Sequence, residues 1–340
     1  MPAIVECVPN FSEGRNAAII EAIGAAVRRT PGVKLLSVEP DKDYNRTVVT
    51  FIGSPQGAVD AAFEATRVAA EQIDMTKHSG EHPRIGATDV VPFVPVSGIL
   101  MAECVQLARS YGKRVGEELK IPVYLYEEAA TRPERRNLAS VRKGEYEGLS
   151  AKLSDPAWAP DFGPAEFSAR SGATITGARM FLIAYNVNLK TPDQKIAQEI
   201  ALRIRESGRV KRDDRGNAVL DPRGQKVLIP GTLQSVKAMG VLLEAQNIAQ
   251  VSINLVNFHA TPPHVAFEEV KRQAARLGVE VTGSEIVGVT PKEALMMAGR
   301  FYAPDVTDES ALIAIAVERL GLSQLGRFDP SCKVIEYQLT

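Results

Sequence analysis

The chain has 340 residues, enough for two domains of ordinary size, and its 45% hydrophobic and 24% charged content is that of a soluble globular protein. A formal net charge of -1 gives nothing global that would draw it to nucleic acid or a membrane surface. Its three cysteines, Cys7, Cys104 and Cys332, lie far apart without a CxxC pair, which speaks against a disulfide framework or structural zinc site and fits a reducing cytoplasm.

The N-terminal Met-Pro-Ala-Ile-Val-Glu lacks the charged start and apolar core of a signal peptide, and no apolar run approaches the ~20 residues that span a bilayer. Ile4–Val8 reads as a strand, Asn16–Arg29 as a helix stopped by Pro31-Gly32, Val33–Val38 as a strand, and Thr47–Ile52 as a β-branched strand after the turn Asp41–Asn45. Gln56–Ile73 is an alanine-rich helix with Ser54-Pro55 as its start signal. Val90–Val96 reads as a strand that Pro92 and Pro95 would push to an edge or a bulge. Met101–Leu119 is a helix, Val123–Tyr126 a strand, and residues 131–176 read as irregular.

A second round follows: strand Met180–Leu189, helix Pro192–Ser207 capped by Thr191, a charged hairpin or mobile excursion Val210–Lys226, and strands Val236–Ala245 and Gln250–Asn257 joined at Gln246-Asn247. Helix His264–Leu277, strand Val279–Val287 and the closing helices Pro291–Gly299 and Ala311–Leu320 complete it. Each round has the order β-α-β-β-α-β, without recognisable sequence repetition. The expected architecture is α/β (α+β): two side-by-side ferredoxin-like domains, 1–177 and 178–340, with a ligand cleft between them. Of two basic clusters, Arg209, Lys211, Arg212 and Arg215 read as a solvated face; Arg132, Arg135, Arg136, Arg142 and Lys143 neighbour candidate site residues.

The chemistry concentrates in the polar stretch Ile73–Thr88, which holds His78 and His82, two of only four histidines, with Glu81, Lys77 and Arg84, and Asp89 just beyond. Imidazole is the side chain suited to proton transfer near neutral pH, and a loop on a rigid scaffold is where such groups act. His78-Ser-Gly-Glu81-His82 has the spacing of one zinc-peptidase class, but Gly80 and Pro83 break the helix that would set both imidazoles on one face. His82 is therefore expected as a metal-free general acid/base. Asn10, Ser12 and Glu13 can cap the helix that follows, and Asn10 can also face a ligand there. Arg46, before the third strand, can pair with a carboxylate. The glycine-flanked segments Gly163–Gly172 and Gly172–Gly177 read as flexible and lack any nucleotide-phosphate spacing. Cys7 and Cys104 read as buried small residues, and His259 and His264 as structural parts of a helix start.

Taken together, Val5–Gly14, Asn45–Thr47, Ile73–Arg84, Pro122–Tyr126, Gly144–Glu147, Pro160–Pro164 and Gly172–Arg179 resemble the glutamate formimidoyltransferase family. The similarity runs from about residue 3 to the C-terminus and is looser from about Asn188. It implies transfer of a formimidoyl group from N-formimidoyl-L-glutamate to N5 of tetrahydrofolate, a step of histidine degradation. It also implies His82, the second histidine of its motif, as the catalytic residue. The implied folate-contacting segment is Gly163, Pro164, Ala165, Glu166, Phe167, Ser168, Ala169, Arg170, Ser171 and Gly172. A homodimer is implied, and a cyclodeaminase activity located elsewhere. The excursion Val210–Lys226 is a departure, longer than the core fold needs.

Such a transfer moves an amidine carbon between two nitrogens through a tetrahedral carbon and calls for no metal or redox cofactor. One imidazole can take the proton from N5 and give it to the leaving glutamate nitrogen. Both substrates carry carboxylates, so cations would bind and steer them. Asn10, Glu39, Arg46, His78 and Arg84 are the candidate substrate contacts; Glu39 and Asp41 could face the cationic amidine. Formyl transfer from N-formylglutamate, a non-catalytic folate-binding protein and a zinc peptidase stand as the competing readings.

Overall fold

The computed structural model describes residues 3–42, 44–80, 82–243 and 246–339. Glu81 of the histidine loop, Asp43 of the Asp41–Asn45 turn and Ala245 at the expected end of a strand lie outside them. The chain divides into two compact units, one running to Met180 and the other spanning Phe181–Gln338. A division at 177/178 would cut a strand one residue from its end.

The first unit runs β1 (Ile4–Cys7), β2 (Asn10–Phe11), α1 (Ala17–Arg29), β3 (Val33–Asp41), β4 (Arg46–Gly53), α2 (Pro55–Gln72), β5 (Thr88–Ser97), α3 (Met101–Arg114), β6 (Val123–Glu127), α4 (Leu138–Arg142), α5 (Leu149–Ser154) and β7 (Thr174–Ala178). β1 and β2 are two pieces of one line, broken at Val8-Pro9, and both pair antiparallel with β4 and β5. The sheet order is β3-β4-(β1, β2)-β5-β7-β6, with β7 parallel to both of its neighbours. The part from β3 to β5 is the expected ferredoxin-like unit.

The period-2 alternation of the strands sorts their residues onto two faces. Val5, Cys7, Val49, Phe51, Val91, Phe93, Val123 and Leu125 pack under α1, α2 and α3. Val90, Tyr124, Tyr126 and Ile175 point the other way, under Val141 of α4 and Leu149 and Leu153 of α5. Toward β4 and β3 this second face carries polar residues instead.

Three expectations change. β5 is bulged but is no edge strand: it lies between β1/β2 and β7. Pro92 falls opposite the break between β1 and β2, and Pro95 adjoins a bulge at Val96, so both occupy places where the ladder is already interrupted. The segment 131–176 is not irregular throughout, since it contains α4, α5 and the start of β7. Gly172–Gly177 is not flexible: Thr174, Ile175 and Thr176 are buried inside the sheet.

The second unit holds β8 (Ile183–Leu189), α6 (Gln194–Ile204), β9 (Arg209–Val210), β10 (Leu228–Ile229), β11 (Val236–Leu243), β12 (Ile248–Leu255), α7 (Pro263–Arg276), β13 (Val281–Val287), α8 (Lys292–Tyr302), α9 (Glu309–Arg319) and α10 (Pro330–Lys333). Its antiparallel sheet, β11-β12-β8-β13, has the same ferredoxin-like order. Asp193, not Thr191, caps α6 by accepting from Lys195 N. The charged excursion is a small meander: β9 pairs with β10, and single bridges join Arg212 to Ala218 and Leu220 to Lys226.

Candidate active site

The histidine loop follows α2. It is held from beneath by the β3–β4 turn, where Asn45 adopts a left-handed φ of 47°. Asn45 accepts from Gly14 N through Oδ1 (2.9 Å) and donates to Ser79 O through Nδ2 (3.0 Å). A Cβ on Gly80 would stand 2.3 Å from Tyr44 O, so this contact between loop and turn requires glycine.

His78 is fully engaged. Its Nε2–H donates to Asn45 O at 2.9 Å, while its Nδ1 accepts from Arg84 Nε at 3.2 Å. A ring so placed is neutral, and burial together with the Arg84 charge lowers its pKa. Neither ring nitrogen is left for a metal, and no group of three or more metal-ligating side chains occurs among the described residues. Arg84, 7% exposed, also donates to Glu145 (3.0 Å) and to both oxygens of Glu147 (2.8 and 2.6 Å). The two residues expected at the substrate thus brace the loop, and His78, Arg84, Glu145 and Glu147 line a recess of about 460 Å³.

His82 is arranged differently. Its Nδ1 lies 2.7 Å from Pro83 O, and a carbonyl can only accept, so Nδ1 carries the hydrogen. Nε2 keeps its lone pair, with no partner among the described residues. Tyr44 stands 5.6 Å away, ring to ring. Burial, reinforced by the charges of Arg46 and Arg142, lowers the imidazole pKa below its usual value.

Three expected substrate contacts share the polar face of the first sheet. Glu39 pairs with Val48, Val48 with Asn10, and Asn10 with Val90, so their side chains form one row. Arg46, two residues before Val48, projects to the same side opposite Asp41. Asn10 does not cap α1; its Nδ2 donates to Val8 O and its buried Oδ1 has no partner among the described residues. Ser12 donates to Gly86 O, Glu13 accepts from Arg15 N and Asn16 N, and Asn16 is the cap.

Gly163–Gly172 is a surface loop tied at both ends. Before it, Asp161 is held by the buried Arg135 at 2.8 Å and accepts from Leu125 N. After its exposed middle, Met75 N donates to Arg170 O (3.0 Å), Ala87 N to Ser171 O (2.9 Å) and Tyr146 Oη to Ala169 O. Glu166 and Phe167 are exposed, and Phe167 lies 5.5 Å from the Tyr146 ring. The fold therefore hydrogen-bonds this loop directly to the segments on either side of His82.

Sequence reasoning did not mark Arg142 and Asp89 as site residues. Asp89 is the bulged residue of β5, 1% exposed, accepting from Ile85 N (3.0 Å) and pairing with Arg142. The signal was there, an acid beside the histidines and an arginine in the basic cluster, but 53 residues separate them. Cys7 and Cys104 are fully buried; burial drives the Cys7 thiol well above its usual range and Cys104 up to about 12, so neither is a nucleophile.

Comparison with known proteins gives a consistent result. Residues 4–179 match the family model "Formiminotransferase domain, N-terminal subdomain", and 184–340 match "Formiminotransferase domain". The chain is 48% identical over its full length to the Formimidoyltransferase-cyclodeaminase of Dictyostelium discoideum and 48% identical over 99% of its length to that of Mus musculus. It spans only 61% and 60% of the length of those relatives. It is also 46% identical to the Glutamate formimidoyltransferase of Streptococcus pyogenes serotype M1, over 89% of this chain and 94% of that protein.

Proposed function

The chain belongs to the formiminotransferase family, whose two subdomain models it matches from end to end, and from that premise we propose that it is a glutamate formimidoyltransferase. It moves the formimidoyl group of N-formimidoyl-L-glutamate to N5 of tetrahydrofolate, releasing L-glutamate, as a step of histidine degradation. The observation that carries this reading is His82: a half-buried imidazole with one nitrogen anchored and the other without a partner among the described residues. The Nε2 lone pair accepts the proton that leaves N5 as the new C–N bond forms. The same proton then goes to the glutamate nitrogen as the old C–N bond breaks, so the imidazole ends as it began. Two nearby cations favour the neutral, proton-accepting form at pH 7.

Asn10, Glu39 and Arg46 are the substrate contacts on the polar sheet face, Gly163–Gly172 is the folate contact, and His78 and Arg84 position the loop. We place the reaction in the cytoplasm, in a homodimer, with a cyclodeaminase consuming the product. That no helix among the described residues is long and apolar enough to cross a membrane is compatible with this placement. The deciding measurement is turnover of the purified chain with N-formimidoyl-L-glutamate and tetrahydrofolate. Formation of 5-formimidoyltetrahydrofolate is expected; no turnover, or a preference for N-formylglutamate, overturns the reading.

A further inference from the structure

We propose that Arg46 and Arg142 together form a carboxylate-binding recess beside His82, reading one carboxylate of the amino-acid donor, and that Asp89 is the residue that positions Arg142. The inference rests on the donor being a glutamate derivative and goes further by assigning the residues that hold it.

The argument begins with unused hydrogen-bonding capacity. The Nε–H of Arg46 and of Arg142 are both buried, and neither has a partner among the described residues. Arg46 forms no ion pair among the described residues. A guanidinium drawn out of water without a partner is costly, and the cost grows when a second one is held nearby. Burial brings Arg46 down to about 10; the pull of Asp89 and Asp41 offsets this only in part, and the charge of Arg142 adds to it. Both carboxylates serve other donors as well. Asp89 is already engaged by Arg142 and by Ile85 N. Asp41, opposite Arg46, is exposed and accepts from Tyr44 N at 2.8 Å.

The framework is rigid in the way a ligand site needs. Asp89 stands in a β-bulge, which aims its carboxylate away from the regular pleat. Arg142 ends α4, and its pairing with Asp89 at 2% side-chain exposure fixes where that guanidinium lies. Arg46 begins β4 on the same side of the sheet as Asn10. Both cations bear on the His82 ring. A carboxylate between two planar forks is held in a defined orientation, as one lysine could not achieve. The nitrogen attached to that donor is thereby delivered toward Nε2 of His82, and the same recess binds the product L-glutamate.

The test is titration calorimetry with L-glutamate alone, needing no turnover, alongside donor and tetrahydrofolate KM values. Arg142→Gln and Arg46→Gln should each weaken L-glutamate binding and raise the donor KM by about 10- to 100-fold, the range for hydrogen bonds to charged groups. Tetrahydrofolate KM should stay within about 2-fold, and Arg142→Lys should recover part of the loss. Because Arg142→Gln strands Asp89, the double variant Asp89→Asn/Arg142→Gln, which removes both buried charges, is measured with it. Wild-type glutamate affinity in folded Arg46→Gln and in the double variant would overturn the recess, as would an equal loss of tetrahydrofolate binding. Wild-type protein that binds L-glutamate through Arg142 but does not turn over would uphold the recess and sink the transferase reading.

Discussion

A proton carrier needs one nitrogen that is held and one that is open, and among the described residues of this loop only His82 combines an anchored nitrogen with one that has no partner. Replacing it with alanine should lower kcat by about 10²–10⁴-fold while tetrahydrofolate affinity changes much less, since the proton matters mainly in the transition state. His78→Ala should be milder; a dead His78→Ala enzyme beside a working His82→Ala would reverse the two roles. With the His82 pKa lowered from 6.5, the acid limb of kcat/KM should fall below that pH. Arg46→Gln removes one cause of the lowering, so the limb should move upward; a limb unmoved in that variant would mean that another group titrates. The importance of this loop is legible in the sequence, because titratable groups crowd a Gly/Pro-punctuated stretch. The tautomer is not, since it depends on the Pro83 carbonyl. Arg84 misleads for a similar reason: a cation in a site loop reads as a ligand contact, yet Glu145 and Glu147, 61 and 63 residues later, take it up.

Among the elements, β1 carries a group in tension with its surroundings. Glu6, between Ile52 of β4 and Val94 of β5, is 4% exposed, and burial raises its carboxyl to about 7 against the opposing pull of Arg179. An unfolded chain ionises this group near 4.5. Stability is therefore unaffected below that pH, declines as pH rises from 4.5 to 7, and stays reduced above it. The isosteric Glu6→Gln should raise stability at pH 8 by up to about 3 kcal/mol and add little at pH 4; equal effects at both pH values in denaturant titrations would refute this. Most elements could be placed from sequence because caps and periodicity agree, as at Ser54-Pro55 before α2. β7 could not, nor could the interior place of β5. Pro92 is tolerated there because the partner line breaks at Val8-Pro9, and Pro95 because it adjoins the bulge at Val96, neither of which a single strand reveals. β7 is a five-residue strand that begins two residues after Gly172 and contains Gly177, which is needed because a Cβ there would come within 2.3 Å of Tyr126 O. Its glycines look like loop chemistry but record a close approach of strands.

At the level of the whole molecule, the two β-α-β-β-α-β rounds were readable because alternating helices and strands imply the topology without fixing any contact. The excursion from Arg209 to Ile229 is held by its own short ladder, with Leu220 and Leu228 exposed. Replacing residues 211–227 with a short turn should shift Tm by no more than a few degrees; a collapse in Tm would show that the meander supports the second sheet. The placement of β7 has a consequence in time. β5 and β6 leave the ribosome first, yet they do not pair with each other; the strand that joins them is the last of its unit to be made. Until Thr174–Ala178 arrives, β6 has only the single bridge of Val123 to Phe162, and one side of β5 is an unsatisfied edge open to any other strand. Pulse-labelled hydrogen exchange during refolding of the full chain should find Tyr124 and Tyr126 protected no earlier than Ile175. Earlier protection would mean that β6 finds another partner first. Synthesis thus leaves the first unit unfinished, with its most adhesive surface showing, until its final strand closes it.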